Sequence, residues 1–167
     1  MTGKSVRTLL LIRLLQLKLY NEMVEALRHF DLTPIQYLVL SLASRSGSWS
    51  TADLARRFDI APQSMNEVIA ALEDKKLIAR SESPDHRRIL HIRLKASGTR
   101  LLQKCDGEVD RIERSAFRGF SSREVTVFRD MLSKALAALE PDIHGASMGA
   151  SLKLRTNGGR RAHARAP

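Results

Sequence analysis

Gln63, Ser64, Asn66 and Glu67 stand together in a stretch from Pro62 to about Lys75. Met65, Val68, Ile69 and Leu72 recur there at the spacing of a buried helical face, which turns those four polar residues outward with Ala70 and Ala71. A side-chain amide donates and accepts at once, as the major-groove edge of adenine requires, and a serine hydroxyl bonds a base or a phosphate. Glu67 would repel phosphates unless it accepts from the amino group of cytosine. The two alanines would let the helix sit close to its partner. Further on, Ser83-Pro84-Asp85-His86-Arg87-Arg88 sets two guanidinium groups at the tip of a turn. Arg87 suits the negative potential of a narrow minor groove and Arg88 a phosphate, with Asp85 as the acceptor that holds an arginine or tightens the turn. Arg80, Arg93 and Lys95 add positive charge nearby, Arg80 being a candidate for phosphate contact beside the wing, and Ser50 and Thr51, at a helix start, are candidates for phosphate contact too. Out of context, such a row is an ordinary solvated surface. The elements around it decide which reading holds.

Other chemistry is poorly represented. No paired-carboxylate, nucleophile–base or phosphate-loop motif stands out, and His29, His86, His91, His144 and His163 lack metal-ligand spacing. No enzyme activity, metal or cofactor is therefore expected. One cysteine in 167 residues excludes a disulfide framework and a cysteine-based zinc cluster, and fits a reducing cytoplasm. Cys105 shares a stripe with Leu101, Val109 and Ile112, which predicts a buried, inert thiol rather than a redox sensor. A net charge of +10 points to a polyanionic partner, and an aromatic content of 5 % argues against a stacking groove for single strands.

The elements follow from the apolar periodicity. Residues 6–30 contain no Gly or Pro and are leucine-rich, predicting one long helix that is apolar on more than one face. A domain this small covers one stripe, so a second subunit is expected over the rest, with Leu10, Leu14 and Leu17 in the interface. Thr33, Pro34 and Gln36 form a capping box and helix start, and Ser50 with Asp53 forms another. Leu54, Ala55 and Phe58 lie on the apolar side of the helix that Ser50 opens. Asp59-Ile60-Ala61 makes a tight turn in which Asp59 holds the place usually given to glycine. Residues 77–82 and 88–94 change to a period of two, a β-hairpin with Leu90, Ile92 and Leu94 on one face. Ser97 opens a further helix, and Ser121 with Glu124 opens the last, whose stripe of Val125, Phe128, Leu132 and Leu136 joins the expected dimer interface. Pro141 ends it.

The fold class expected is mainly α with a small β-hairpin wing. It divides into an N-terminal dimerisation helix (1–31), a winged helix-turn-helix lobe (32–96), C-terminal dimerisation helices (97–141) and a basic tail (142–167). The apolar run from Thr8 to Leu19 is interrupted by Arg13 and Lys18 and no small-residue cleavage site follows, so neither a signal peptide nor a membrane span is expected and the chain reads as soluble.

From about Leu32 to Gly98 the chain resembles the MarR family of multiple-antibiotic-resistance-type regulators. The resemblance rests on Leu72-Glu73-Asp74-Lys75-Lys76-Leu77-Ile78-Ala79-Arg80, on the wing signature Asp85-His86-Arg87-Arg88, and on Leu94-Lys95-Ala96-Ser97-Gly98, where Lys95 replaces a threonine. The entry Leu32-Thr33-Pro34-Ile35-Gln36-Tyr37 is similar too. It implies a homodimer that binds a pseudo-palindromic operator in double-stranded DNA, usually as a repressor, and that answers to a small phenolic or aromatic effector. Members often carry arginine where this chain has Glu67 and Ala71, so two customary DNA contacts are missing. A cytoplasmic, sequence-specific regulator is the function expected; the alternative is a winged-helix protein–protein adaptor that has lost specific DNA reading.

Overall fold

The computed structural model describes residues 6–45, 48–82 and 90–139. Along the chain these form α1 (Thr8–Arg28), α2 (Pro34–Ala43), α3 (Thr51–Arg57), α4 (Pro62–Asp74), β1 (Ile78–Glu82), β2 (Leu90–Leu94), α5 (Ala96–Ala116) and α6 (Ser122–Leu139). The chain divides into two units at Ser121, so that α1 to α5 with the hairpin form one and α6 belongs to the other.

Local chemistry sets the helix starts. Thr33 accepts from the Gln36 backbone N–H while the Gln36 side chain accepts from Thr33, and Pro34 occupies the first turn. Ser50 and Asp53 repeat the exchange at α3. The start expected at Ser97 is corrected: α5 begins at Ala96 behind Lys95, and the Ser97 hydroxyl instead donates to the Lys76 carbonyl at 2.6 Å.

Three helices stop in the same way. Asp31, Asp59 and Lys76 adopt left-handed backbone with φ of 54°, 51° and 57°. After each, an apolar residue returns its N–H to a carbonyl five positions back: Leu32 to Leu27, Ile60 to Ala55, Leu77 to Leu72. This double-turn closure satisfies the last carbonyls and tucks a hydrophobic side chain under the helix end. Glycine is the usual occupant of the left-handed position; aspartate tolerates it better than most residues, and lysine does not share that advantage. Lys75 Nζ then pairs with Asp31 Oδ2 at 2.9 Å, joining the ends of α4 and α1.

The core of this unit gathers Leu27 of α1, Val39 and Leu40 of α2, Leu54 of α3, Met65, Ile69 and Leu72 of α4, Ile78 and Ile92 of the hairpin, and Cys105 of α5. Leu102, one position past the expected Leu101, is the more deeply buried of the two. Burying one such side chain contributes roughly 1.5–3 kcal/mol, so this cluster is what holds α2, α3 and α4 at fixed angles. β1 and β2 pair antiparallel, Ile78 opposite Leu94 and Arg80 opposite Ile92. A feature absent from the expectation adds to the hairpin. The Ile92 N–H donates to the Trp49 carbonyl at 2.8 Å, and Ser50 bridges His91. The segment before α3 thus forms a one-residue third strand that ties the hairpin to the helix pair.

α1 has one fully buried residue, Leu27, and an apolar surface elsewhere: Leu10, Leu14 and Leu17 are 51 %, 46 % and 40 % exposed. α6 has no buried residue.

Candidate nucleic-acid interface

α3 and α4 pack through a small, apolar contact. Leu54 and Ala55 of α3 are buried, as are Met65 and Ile69 of α4, while Phe58, Ile60 and Val68 close its edge. Asp59 makes the turn between the helices possible through its left-handed φ. With α4 anchored by Met65, Ile69 and Leu72, the side chains of Gln63, Ser64, Asn66, Glu67 and Ala70 are exposed. Ala71, expected to face outward with them, is half-buried, because it stands three positions after the half-buried Val68, on the flank of the core stripe.

The two helix starts differ. At α3, the Ser50 hydroxyl donates to Asp53 Oδ2 at 2.6 Å and accepts from the Asp53 N–H at 3.2 Å, so the phosphate contact expected of Ser50 faces competition from an internal carboxylate. Thr51, beside it, is half-buried. Burial pushes the Asp53 carboxyl up, but hydrogen bonds from the Ser50 hydroxyl and N–H, together with the Arg56 guanidinium, outweigh that and leave it below the usual aspartate range. At α4, Ala61 provides no side-chain cap and Pro62 opens the first turn. The amide donors of that turn therefore have no capping side chain to accept from them, the condition under which a helix start favours an anion.

The cations of this unit stand on other elements than α4. Arg56 and Arg57 close α3, and Arg56 pairs with Asp53. These two arginines escaped the sequence reading, although their position in the last turn of the helix preceding the recognition segment was a usable signal. Arg80 was expected to meet phosphate. It lies on the Ile92 side of the hairpin, and its Nε donates to Glu73 Oε2 at 3.0 Å, bracing β1 against the end of α4. Arg93 and Lys95 are exposed. Asp85, Arg87 and Arg88 lie outside the described residues.

Behind the helix pair, the Tyr37 hydroxyl donates to Asp106 Oδ1 at 2.9 Å, linking α2 to α5. Burial, then the bond to Asp106 and its charge, push the Tyr37 phenol well above its ordinary range. Cys105 is fully buried, and burial followed by the Asp106 charge raises its thiol to about 11. Among the described residues no group of His, Cys, Asp or Glu could hold a metal ion, and no helix is long and apolar enough to cross a membrane.

Three comparisons place this geometry among known proteins. A family model described as MarR family matches residues 30–89. The HTH-type transcriptional regulator YhbI of Bacillus subtilis is 37 % identical over 78 residues, 47 % of this chain, and the match spans about half of that relative, 51 %. The HTH-type transcriptional repressor Rv2887 of Mycobacterium tuberculosis is 31 % identical over 113 residues, covering 68 % of this chain and 81 % of the repressor. The crystal structure of Rv2887 in complex with salicylic acid superposes with a TM-score of 0.65 at 28 % identity, over 79 % of this chain and 98 % of that one. The structure of the Staphylococcus aureus MepR–DNA complex matches with a TM-score of 0.66 at 23 % identity, covering 81 % of this chain and all of MepR, and speaks for the fold alone.

Proposed function

This chain belongs to the MarR family, and we propose that it is a homodimeric, sequence-specific DNA-binding regulator that represses its target promoter and is released by a small aromatic or phenolic acid. One observation carries the reading. The buried contact of α3 with α4 leaves Gln63, Ser64, Asn66 and Glu67 exposed along the first two turns of a helix whose start has no side-chain cap. In a helix-turn-helix, those turns meet base edges in the major groove while the preceding helix crosses the backbone. Arg56 and Arg57 stand on that preceding helix.

The wing, through Arg87 in the minor groove and Arg88 on phosphate with Asp85 holding the turn, adds a second contact. Two such lobes, joined through α1 by Leu10, Leu14 and Leu17 and through α6 by Val125, Phe128, Leu132 and Leu136, would meet successive major grooves roughly 34–36 Å apart. Residues 1–31 and 97–141 then serve dimerisation, 32–96 DNA binding, and 142–167 non-specific attraction to the duplex. Relatives named as transcriptional regulators support a cytoplasmic protein that is not an enzyme. Rv2887 binds salicylic acid in its complex, which supports the effector class.

The test is a mobility-shift titration of the full chain against the DNA upstream of its own coding region, with excess unrelated DNA and increasing salt. A complex that survives competitor and weakens with salt supports the regulator, and its release by salicylate supports the effector. Binding that unrelated DNA abolishes would favour a protein–protein adaptor on the same scaffold. The exposed carboxylate of Glu67 and the alanine at Ala71, at the two positions where relatives often carry arginine, motivate that alternative.

A further inference from the structure

Helix α4 carries no lysine or arginine. Its charges are Glu67, Glu73 and Asp74, and Glu73 is paired with Arg80. Glu67 is exposed, and no described residue forms an ion pair or hydrogen bond with it. Gln63, Glu67 and Ala70 are spaced at i, i+4 and i+7, so they share one outward row, with Glu67 one turn behind Gln63 and Ala70 small enough to bring the helix axis close to its target. A recognition helix that enters a polyanionic groove with its exposed charges, Glu67 and Asp74, both negative needs a specific reason to bind there.

We infer that Glu67 is a specificity filter that admits cytosine at one position of each half-site. A carboxylate only accepts hydrogen bonds. In the major groove, cytosine offers the N4 amino donor, guanine two acceptors and thymine an acceptor beside a methyl; adenine pairs its donor with the N7 acceptor. Cytosine is therefore the base that compensates Glu67 without placing a second acceptor against it. At guanine and thymine the carboxylate is desolvated against acceptors, and at adenine a bond from N6 brings the N7 acceptor beside it, which costs more than the absence of a favourable contact. Glu67 so lowers affinity for most DNA and spares the sites that carry cytosine, which is discrimination by repulsion as well as by attraction. The positive charge supplied by Arg56, Arg93, Lys95 and the rest of the basic chain offsets the general repulsion without reading sequence.

This inference rests on the DNA-regulator reading, and the experiment separates the two. Full-length wild type, Glu67→Gln and Glu67→Ala would each select from a random duplex pool, with affinities then measured on the winning site and on single-base variants of it. Wild type should enrich one cytosine per half-site and lose roughly 5- to 150-fold in affinity when that base pair is changed. Glu67→Gln should lose the cytosine preference at that one position, gain adenine there, and bind unrelated DNA more tightly, while the other positions stay as they were. Unchanged base preferences in both variants would overturn the role of Glu67 and leave the regulator reading standing. A wild-type chain that enriches no sequence would overturn the regulator reading and this inference with it. Circular dichroism of both variants should match wild type, because Glu67 is an exposed helical residue and both replacements favour helix.

Discussion

Gly98 approaches the Leu77 carbonyl so closely that a β-carbon added to it would stand 2.2 Å from that oxygen and 3.1 Å from Leu94 Cδ1. The same carbonyl accepts from the Lys95 N–H at 2.9 Å, so the start of α5 is pinned against the turn that leads from α4 into β1. The closing motif that the sequence shares with its family thus has a steric cause. Gly98→Ala should destabilise the protein by roughly 1–3 kcal/mol or more, since backbone on both sides must shift. Gly107, in the same helix with nothing within 4 Å of its added β-carbon, is the control. Gly107→Ala should stabilise by roughly 0.5–1 kcal/mol. Denaturant unfolding at one protein concentration measures both, and equal effects would remove the steric account.

The Ser50–Asp53 box gives an acid dependence. Asp53 is held below its ordinary range in the folded state, so its contribution is present above the unfolded value of about 4 and is lost as pH falls through the lower folded value. Asp53→Asn should flatten the part of the stability curve below about pH 4 and lower stability at neutral pH. Thermal unfolding across this range decides it; an unchanged slope would mean the carboxylate interacts equally in both states.

Tyr37 gives the opposite end. Its phenol is held protonated by burial and by Asp106, so the folded state binds that proton more tightly than the unfolded chain. Stability from this group is complete below the unfolded value of about 10 and declines as pH rises above it. Tyr37→Phe should remove that alkaline decline and cost about 1.5–3 kcal/mol at pH 7, the range for a hydrogen bond to a charged partner.

Cys105 should behave as core rather than as a sensor. With its thiol buried and raised to about 11, little thiolate exists near neutrality. Labelling with a soluble disulfide reagent at pH 8 should be at least a hundredfold slower in the folded protein than in denaturant. Rapid labelling of the native chain would contradict the burial.

Leu14 tests the proposed dimer surface. It lies between Leu10 and Leu17 on the exposed apolar row of α1. Leu14→Glu removes a burial of roughly 1.5–3 kcal/mol from each subunit, so dimer affinity should fall by about a hundredfold or more. Sedimentation and DNA titration should report the loss together. A dimer of unaltered strength would place the interface elsewhere.

The capping residues, the left-handed Asp59 and the buried stripe of α4 were all legible before any coordinates. They depend on interactions within a few residues: Thr33 with Gln36, Ser50 with Asp53, Met65 with Ile69. The exposed row from Gln63 to Glu67 was legible for the same reason, because one buried face of a helix defines the other.

Long-range packing decided the rest. That Arg80 turns to Glu73, that Ser97 bonds Lys76 rather than capping α5, and that Trp49 lends its carbonyl to Ile92 all depend on where separate elements meet. The sequence alone determined the order of helices and hairpin, the outward polar row and the chain's positive charge, since these depend on residue type and local periodicity. Only the tertiary structure decided which charges are already paired, which glycine has no room for a side chain and which tyrosine and cysteine are sealed in. Those properties arise from burial and distance between residues far apart in the chain, and no local pattern encodes them.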